Sequence, residues 1–153
     1  MNQIEIKKLR FTYANDKAFS LNVDHLAIAK NSQVFIEGPS GCGKTTFLNL
    51  LTGLSQPQSG EISILNTVIN QLKHVQCDTF RANHFGIIFQ LFNLIPYLSI
   101  LENIILPCTF SKHKTAKVLT TSPSLESEAQ RLCDVLDISP ELRLKSVNHL
   151  SIG

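Results

Sequence analysis

Charge of either sign is scarce and nearly balanced, with 14 lysines and arginines against 12 aspartates and glutamates and a formal net charge of +2 over 153 residues. The basic residues are scattered rather than gathered into a run, so neither a nucleic-acid surface nor a membrane-surface patch is implied. Cysteine pairs are missing too. Cys42, Cys77, Cys108 and Cys133 lie far apart with no Cys-x-x-Cys spacing, which argues against a zinc site and a small disulfide scaffold and fits a reducing cytoplasm. The opening Met1-Asn2-Gln3-Ile4-Glu5-Ile6 has neither the basic start nor the continuous apolar stretch of a secretory signal. A run of about 20 apolar residues, the length a bilayer-spanning helix needs, is also absent. The most apolar region, Leu91 to Pro107, contains Asn93, Glu102 and Asn103 and is broken by Pro96. It reads as a buried or partner-facing segment. No internal repeat and no linker between independent domains is visible.

What is present suits a soluble globular domain. The composition is 43% hydrophobic and 17% charged, and a folded chain of this length buries roughly 68–70% of the surface its unfolded form exposes. Ile4-Glu5-Ile6-Lys7-Lys8-Leu9 partly alternates, and Leu21-Asn22-Val23-Asp24 repeats the pattern after a polar turn at Asn15-Asp16. These predict paired strands of a small antiparallel sheet. Val34-Phe35-Ile36 and Phe85 to Phe89 are continuous apolar runs that predict strands buried on both faces of an α/β layer. A helix is predicted from Lys44 to Leu54, closed by Gly53 and Pro57, followed by a strand at Gly60 to Ile64. Further helices are predicted over Ile100 to Leu106, between Pro96 and Pro107, and over Ser124 to Leu136. Residues 111–123, rich in Ser, Thr and Lys, read as an exposed connection.

Between the strand at 34–36 and the helix from Lys44 lies Gly38-Pro39-Ser40-Gly41-Cys42-Gly43-Lys44-Thr45, a full match to the Walker A pattern G-x-x-x-x-G-K-[ST]. Gly38, Gly41 and Gly43 permit backbone conformations that turn several N–H groups inward around phosphate oxygens. The following helix dipole reinforces that cradle. Lys44 brings a full charge to the β- and γ-phosphates, and the Thr45 hydroxyl is placed to ligate Mg²⁺. Ser40 and Thr46 are further candidate phosphate contacts.

Three more features narrow the field of P-loop proteins. Phe85-Gly86-Ile87-Ile88-Phe89-Gln90 ends an apolar run with a glutamine, the sequence closes on Leu150-Ser151-Ile152-Gly153, and Phe11-Thr12-Tyr13 lies upstream of the P-loop. Together with Walker A these resemble the Q-loop, the start of the LSGGQ signature and the A-loop of ABC ATPases. Leu91-Phe92-Asn93-Leu94-Ile95-Pro96-Tyr97, continuing through Leu101-Glu102-Asn103-Ile104-Ile105-Leu106-Pro107, resembles in particular the subfamily serving lipoprotein-releasing and macrolide-export type transporters. The resemblance implies an α/β P-loop NTPase core with an N-terminal antiparallel β subdomain and a helical subdomain. Residues 1–90 would form the ATP-binding core with its β part, and 91–153 the helical subdomain. It further implies an ATP and Mg²⁺ site in which Tyr13 stacks on adenine, Gly38 to Thr46 hold the phosphates, including Pro39 and Cys42 of the loop, and Gln90 positions water and metal beside Thr45. Ser151 and Gly153 would face the nucleotide of a second ATPase subunit, although Ile152 stands where the family has glycine more often. The implied partners are that second subunit and a membrane-spanning transporter subunit, on the cytoplasmic face of the membrane, with no nucleic acid.

Nothing in the sequence corresponds to the family's Walker B strand with its Asp-Glu, to the D-loop or to the switch histidine. Val135-Leu136-Asp137 is too short and lies in a helical pattern, and His149 adjoins the signature. The resemblance therefore covers the front portion of a complete ABC ATPase, a fold incomplete at its C-terminus. Hydrolysis needs an oriented water and a held metal as well as cradled phosphates, so these 153 residues are expected to be inactive alone. Two other functions stay open: a catalytically inert nucleotide-binding or interaction module, and a non-transport ABC ATPase, whose long coiled-coil insertions this sequence lacks.

Overall fold

The computed structural model describes residues 2–90 and 93–149. It divides into two compact units, one running to Arg81 and the other starting at Ala82.

The first unit is organised by a long hairpin. Strands β1 (Asn2–Tyr13) and β2 (Asp16–Ala29) pair antiparallel, with Tyr13 opposite Asp16 at the tight end. β3 (Ser59–Ile64) joins the other edge of β1, and the short β4 (Thr67–Val68) completes a four-stranded sheet in the order β2-β1-β3-β4. The imperfect alternation of β1 has a geometric cause. Lys7 and Lys8 are both exposed between buried Ile6 and Leu9, Lys8 adopts a positive φ of 49°, and the register against β3 slips between Lys7 and Arg10. This bulge shifts the apolar phase by one residue, so that Ile6, Leu9 and Phe11 all reach the core together with Ile62 and Ile64. Gly60, at φ 92°, sits against the bulge, where an added Cβ would lie 2.5 Å from the Lys8 carbonyl oxygen and 2.6 Å from the Leu9 nitrogen. Asn70 seals the same strand end, its Oδ1 accepting from the Ile62 N–H and its Nδ2 donating to the Gly60 carbonyl.

Helix α1 (Lys44–Leu51) buries Thr46, Phe47, Leu50 and Leu51. It ends three residues earlier than the periodicity predicts, with Thr52 as its cap and Gly53 at φ 69°. Leu54 and Ser55 still donate their N–H groups to the Asn49 carbonyl, which closes the exit turn. Helix α2 (His74–His84) has Cys77 as its buried residue.

The two apolar runs expected as buried parallel strands are not strands. Residues 33–40 and 85–89 carry no ladder, Phe35 is 87% exposed and Ile88 fully exposed. Apolar content signals a need for burial, but a strand exists only where another segment accepts its hydrogen bonds. Among the described residues every strand belongs to the antiparallel sheet.

The second unit is helical. α3 (Ile100–Thr109) packs against α4 (Lys112–Leu119), α5 (Leu125–Val135) and the short α6 (Pro140–Arg143). Each of the three longer helices starts on a serine whose hydroxyl accepts a first-turn N–H: Ser99 from Glu102, Ser111 from Lys114 and Ser124 from Ser127. At α3 the Glu102 carboxylate also accepts from the Ser99 N–H, completing a capping box. These bonds hold the Glu102 carboxyl below its ordinary range. In α5, hydrogen bonds from Arg131 and then Ser122 hold Glu128 down to about 2.

Two expectations fail here. Helix α4 occupies most of the segment read as an open connection, because Ser111 caps it and the Lys-rich composition is compatible with a helix. Helix α3 runs through Pro107 to Thr109. Pro107 lies in its last turn, so the helical bond it forgoes, to the Asn103 carbonyl, falls near the helix end, where Thr109 donates to Leu106 and Thr115 to Cys108. The proline therefore costs little continuity there.

Replacing Gly60 by alanine forces a Cβ onto backbone atoms at a left-handed φ. Gly60→Ala is expected to lower stability by about 2 kcal/mol or more, read as a drop in the urea midpoint at unchanged slope.

Candidate functional site

The site grows from the junction between the loop at 38–43 and α1. Gly43 is the N-cap of α1 in a left-handed conformation, φ 103° and ψ 11°. It has no side chain to offer the helix, and no acidic residue follows in the first turn. The Phe47 N–H is the first to find a helical acceptor, the Gly43 carbonyl at 2.8 Å. By helix geometry the N–H groups of Lys44, Thr45 and Thr46 have no acceptor within α1 and carry its positive dipole end. A second constraint fixes Gly43, since a Cβ there would lie 2.8 Å from the Phe19 ring.

Lys44 folds back over the loop. Its ammonium donates to the carbonyls of Gly38 at 2.8 Å and Pro39 at 2.7 Å, and lies 3.8 Å from the Cys42 sulfur. The Cys42 N–H donates to the same Pro39 carbonyl at 3.3 Å. The loop is thus closed around one cation, with Cys42 exposed. Gly41, at φ 80°, borders open space.

Above α1 lies a cleft of about 420 Å³ bordered by Tyr13, Phe19, Ser40, Gly41, Lys44, Thr45 and Thr46. Thr45 is exposed, whereas Thr46 is buried and its hydroxyl is 2.8 Å from the Tyr13 hydroxyl. Tyr13 is 42% exposed. Its ring meets Phe11 edge-on, with centroids 4.9 Å apart, and Phe19 at 5.5 Å. The hairpin thus brings an aromatic pair beside the loop, although Tyr13 and Lys44 lie far apart in sequence. Phe19 went unnoticed in the sequence. Its signal is an aromatic residue just beyond the tight hairpin end, readable only once the strand register is known.

The cleft suits a phosphorylated ligand because the Lys44 ammonium and the hydroxyl-bearing Tyr13, Ser40, Thr45 and Thr46 line it, with no carboxylate among its lining residues. A divalent ion would be held there by phosphate oxygens, water and the Thr45 hydroxyl. Among the described residues no group of three or more His, Cys, Asp or Glu side chains is placed to hold a metal.

Gln90 is exposed in a bend of the second unit. Ser151 and Gly153 lie outside the described residues, as do Leu91 and Phe92 of the segment after Gln90.

A family model described as "ABC transporter" matches residues 21–153. The chain belongs to the ABC transporter ATP-binding family. This ABC chain is 36% identical over 142 residues to the ABC transporter ATP-binding protein YvcR of Bacillus subtilis, covering 90% of itself and 52% of the relative. To the ABC transporter ATP-binding protein MJ0796 of Methanocaldococcus jannaschii it is 35% identical over 148 residues, covering 95% of itself and 60% of the relative. A solved structure described as a dimeric post-hydrolysis state of the ATP-binding cassette MJ0796 bound to ADP and Pi superposes with a TM-score of 0.71 at 27% identity, over 97% of this chain and 63% of that one. The ABC chain thus spans roughly half to two thirds of these relatives' length, and its fold is that of the ABC cassette. Among its described residues no helix is long and apolar enough to cross a membrane.

Adding a methyl group at Gly43 strains the left-handed cap and drives into Phe19. Gly43→Ala is expected to lower stability by about 1–2 kcal/mol in chemical denaturation. It should weaken Mg·ATP binding by a larger factor than that loss of folded population explains, as measured by titration calorimetry.

Proposed function

We propose that the chain is the nucleotide-binding part of an energy-coupling subunit of an ABC membrane transporter, and that it takes ATP with Mg²⁺. The observation that carries this reading is the uncapped start of α1, with neither side-chain acceptor nor acidic residue, set beside the Lys44 ammonium. Such an end is a ready anion site. Gly38, Pro39, Ser40, Gly41, Cys42, Gly43 and Lys44 surround the phosphates, and Lys44 exchanges its two carbonyl partners for phosphate oxygens. Thr45 offers a hydroxyl to the metal, and Thr46, held by Tyr13, sets the floor of the site. Tyr13 presents a part-exposed ring for adenine, with Phe19 beside it, in support of stacking.

Gln90 orients water and metal, while Ser151 and Gly153 reach the nucleotide of a second ATPase subunit. The dimers described for the MJ0796 cassette favour that arrangement. Bound Mg²⁺ would neutralise charge on the phosphates during hydrolysis by the whole subunit. This chain's own residues bind, orient and enclose the nucleotide.

The membrane-spanning partner is proposed to dock on the second unit. Helix α3 is apolar yet has no fully buried residue, and Tyr97 just before it is 76% exposed. The sequence from Leu91 to Tyr97 and from Leu101 to Pro107 favours the lipoprotein-releasing and macrolide-export type subfamily, at the cytoplasmic face of the membrane.

Titration calorimetry of the chain with Mg·ATP, alongside Lys44→Ala, tests the reading. Saturable binding is expected, weakened roughly tenfold to a hundredfold in the variant, the effect of losing charge-assisted contacts to phosphate. Equal affinity in the two proteins would overturn it.

A further inference from the structure

Asn103, in the first turns of α3, uses its whole side-chain amide on the backbone of the preceding loop. Its Oδ1 accepts from the Ile95 N–H at 2.8 Å. Its Nδ2 donates to the carbonyls of Ile95 at 3.1 Å and Ser99 at 3.0 Å, with Leu98 at 3.4 Å. Ile95 is therefore gripped through both its N–H and its C=O by one side chain eight residues away. Hydrophobic packing does not account for this choice, because a leucine here would leave the Ile95 N–H without that acceptor.

The same loop makes a second set of hydrogen bonds, to residues nearer the end of the described chain. The Leu98 carbonyl accepts from the Val147 N–H at 3.2 Å, and the Pro96 carbonyl accepts from the Asn148 N–H at 3.2 Å. Ser99 and Ser146 form an isolated antiparallel bridge. Loop residues 95–99 thus bond both the Asn103 amide and residues 146–148, which precede His149 and Leu150-Ser151-Ile152-Gly153 in sequence.

We propose that Asn103 is a positioning residue for the signature segment: by clasping Ile95 to Ser99 it aims the Leu98 and Pro96 carbonyls that hold Val147 and Asn148. Residues 146–148, from which the chain runs on to the signature, are then registered against the loop at 95–99 through backbone hydrogen bonds rather than through a packed core. This rests on the role proposed above for Ser151 and Gly153, but the register itself is measurable without nucleotide.

Site-resolved amide hydrogen exchange on the 153-residue chain tests it. In Asn103→Ala the Val147 and Asn148 amides should exchange about tenfold faster, the scale of one or two lost neutral hydrogen bonds. Amides of α5 and of the first unit should keep their wild-type protection. Asn103→Asp is the second variant. It keeps an acceptor for the Ile95 N–H while removing every donor, so Ile95 should stay protected while Val147 and Asn148 lose protection as in the alanine variant. Wild-type exchange at Val147 and Asn148 in both variants, with the loop amides unprotected, would show that Asn103 closes only its own loop and overturn the proposal. Uniform loss of protection through α5 would overturn it too, by reducing Asn103 to a general stability residue. Mg·ATP calorimetry on the wild type separates the two readings: failure to bind counts against the nucleotide function and leaves the exchange pattern standing.

Discussion

The Lys44 ammonium, drawn back onto the Gly38 and Pro39 carbonyls, is the interaction on which the candidate site depends. It closes the loop around a positive charge while the left-handed Gly43 starts α1, whose first N–H groups carry the positive end of the helix dipole. Two like-signed features, an ammonium and a helix N-terminus, are thereby held together without a carboxylate among the cleft residues. Their mutual repulsion is offset by the loop carbonyls, and an anion offers a stronger partner. Tyr13 and Phe19 then give the cleft an aromatic wall, tied to α1 through the Tyr13–Thr46 hydroxyl pair and the close approach of Phe19 to Gly43.

The two units are stabilised differently. In the first, a bulge at Lys8 and the close approach of Gly60 keep a run of large apolar side chains in one sheet face. In the second, few apolar side chains are fully buried, Ala129 and Cys133 among them, and short polar side chains organise the backbone. Serines start the three longer helices, Thr109 and Thr115 take carbonyls near Pro107, and Asn103 grips a loop. A helical unit held by such bonds can keep local geometry while leaving apolar residues such as Tyr97 and Leu144 exposed.

What could be read in the sequence was what local chemistry dictates. The start of α1 at Lys44 was legible because Gly43 before it answers a need of the backbone, whatever surrounds it. The hairpin was legible from its alternation, and α5 from a helical period with Ser124 at its start. Three things were hidden because they depend on partners far along the chain. Val34 to Ile36 and Phe85 to Phe89 have the composition of buried strands, yet no ladder forms on them. The helix at 112–119 was masked by a polar composition that hid its Ser111 cap. Phe19 reaches the cleft only through the β1–β2 register, which no single segment reveals.

The central claim, that the cleft recognises phosphate before base, is tested most directly by comparing the thermal midpoint of the chain with saturating Mg·pyrophosphate and with adenosine. A ligand that binds only the folded state raises that midpoint by mass action. The account predicts a clear rise with Mg·pyrophosphate and little change with adenosine. A rise with adenosine and none with Mg·pyrophosphate would contradict it.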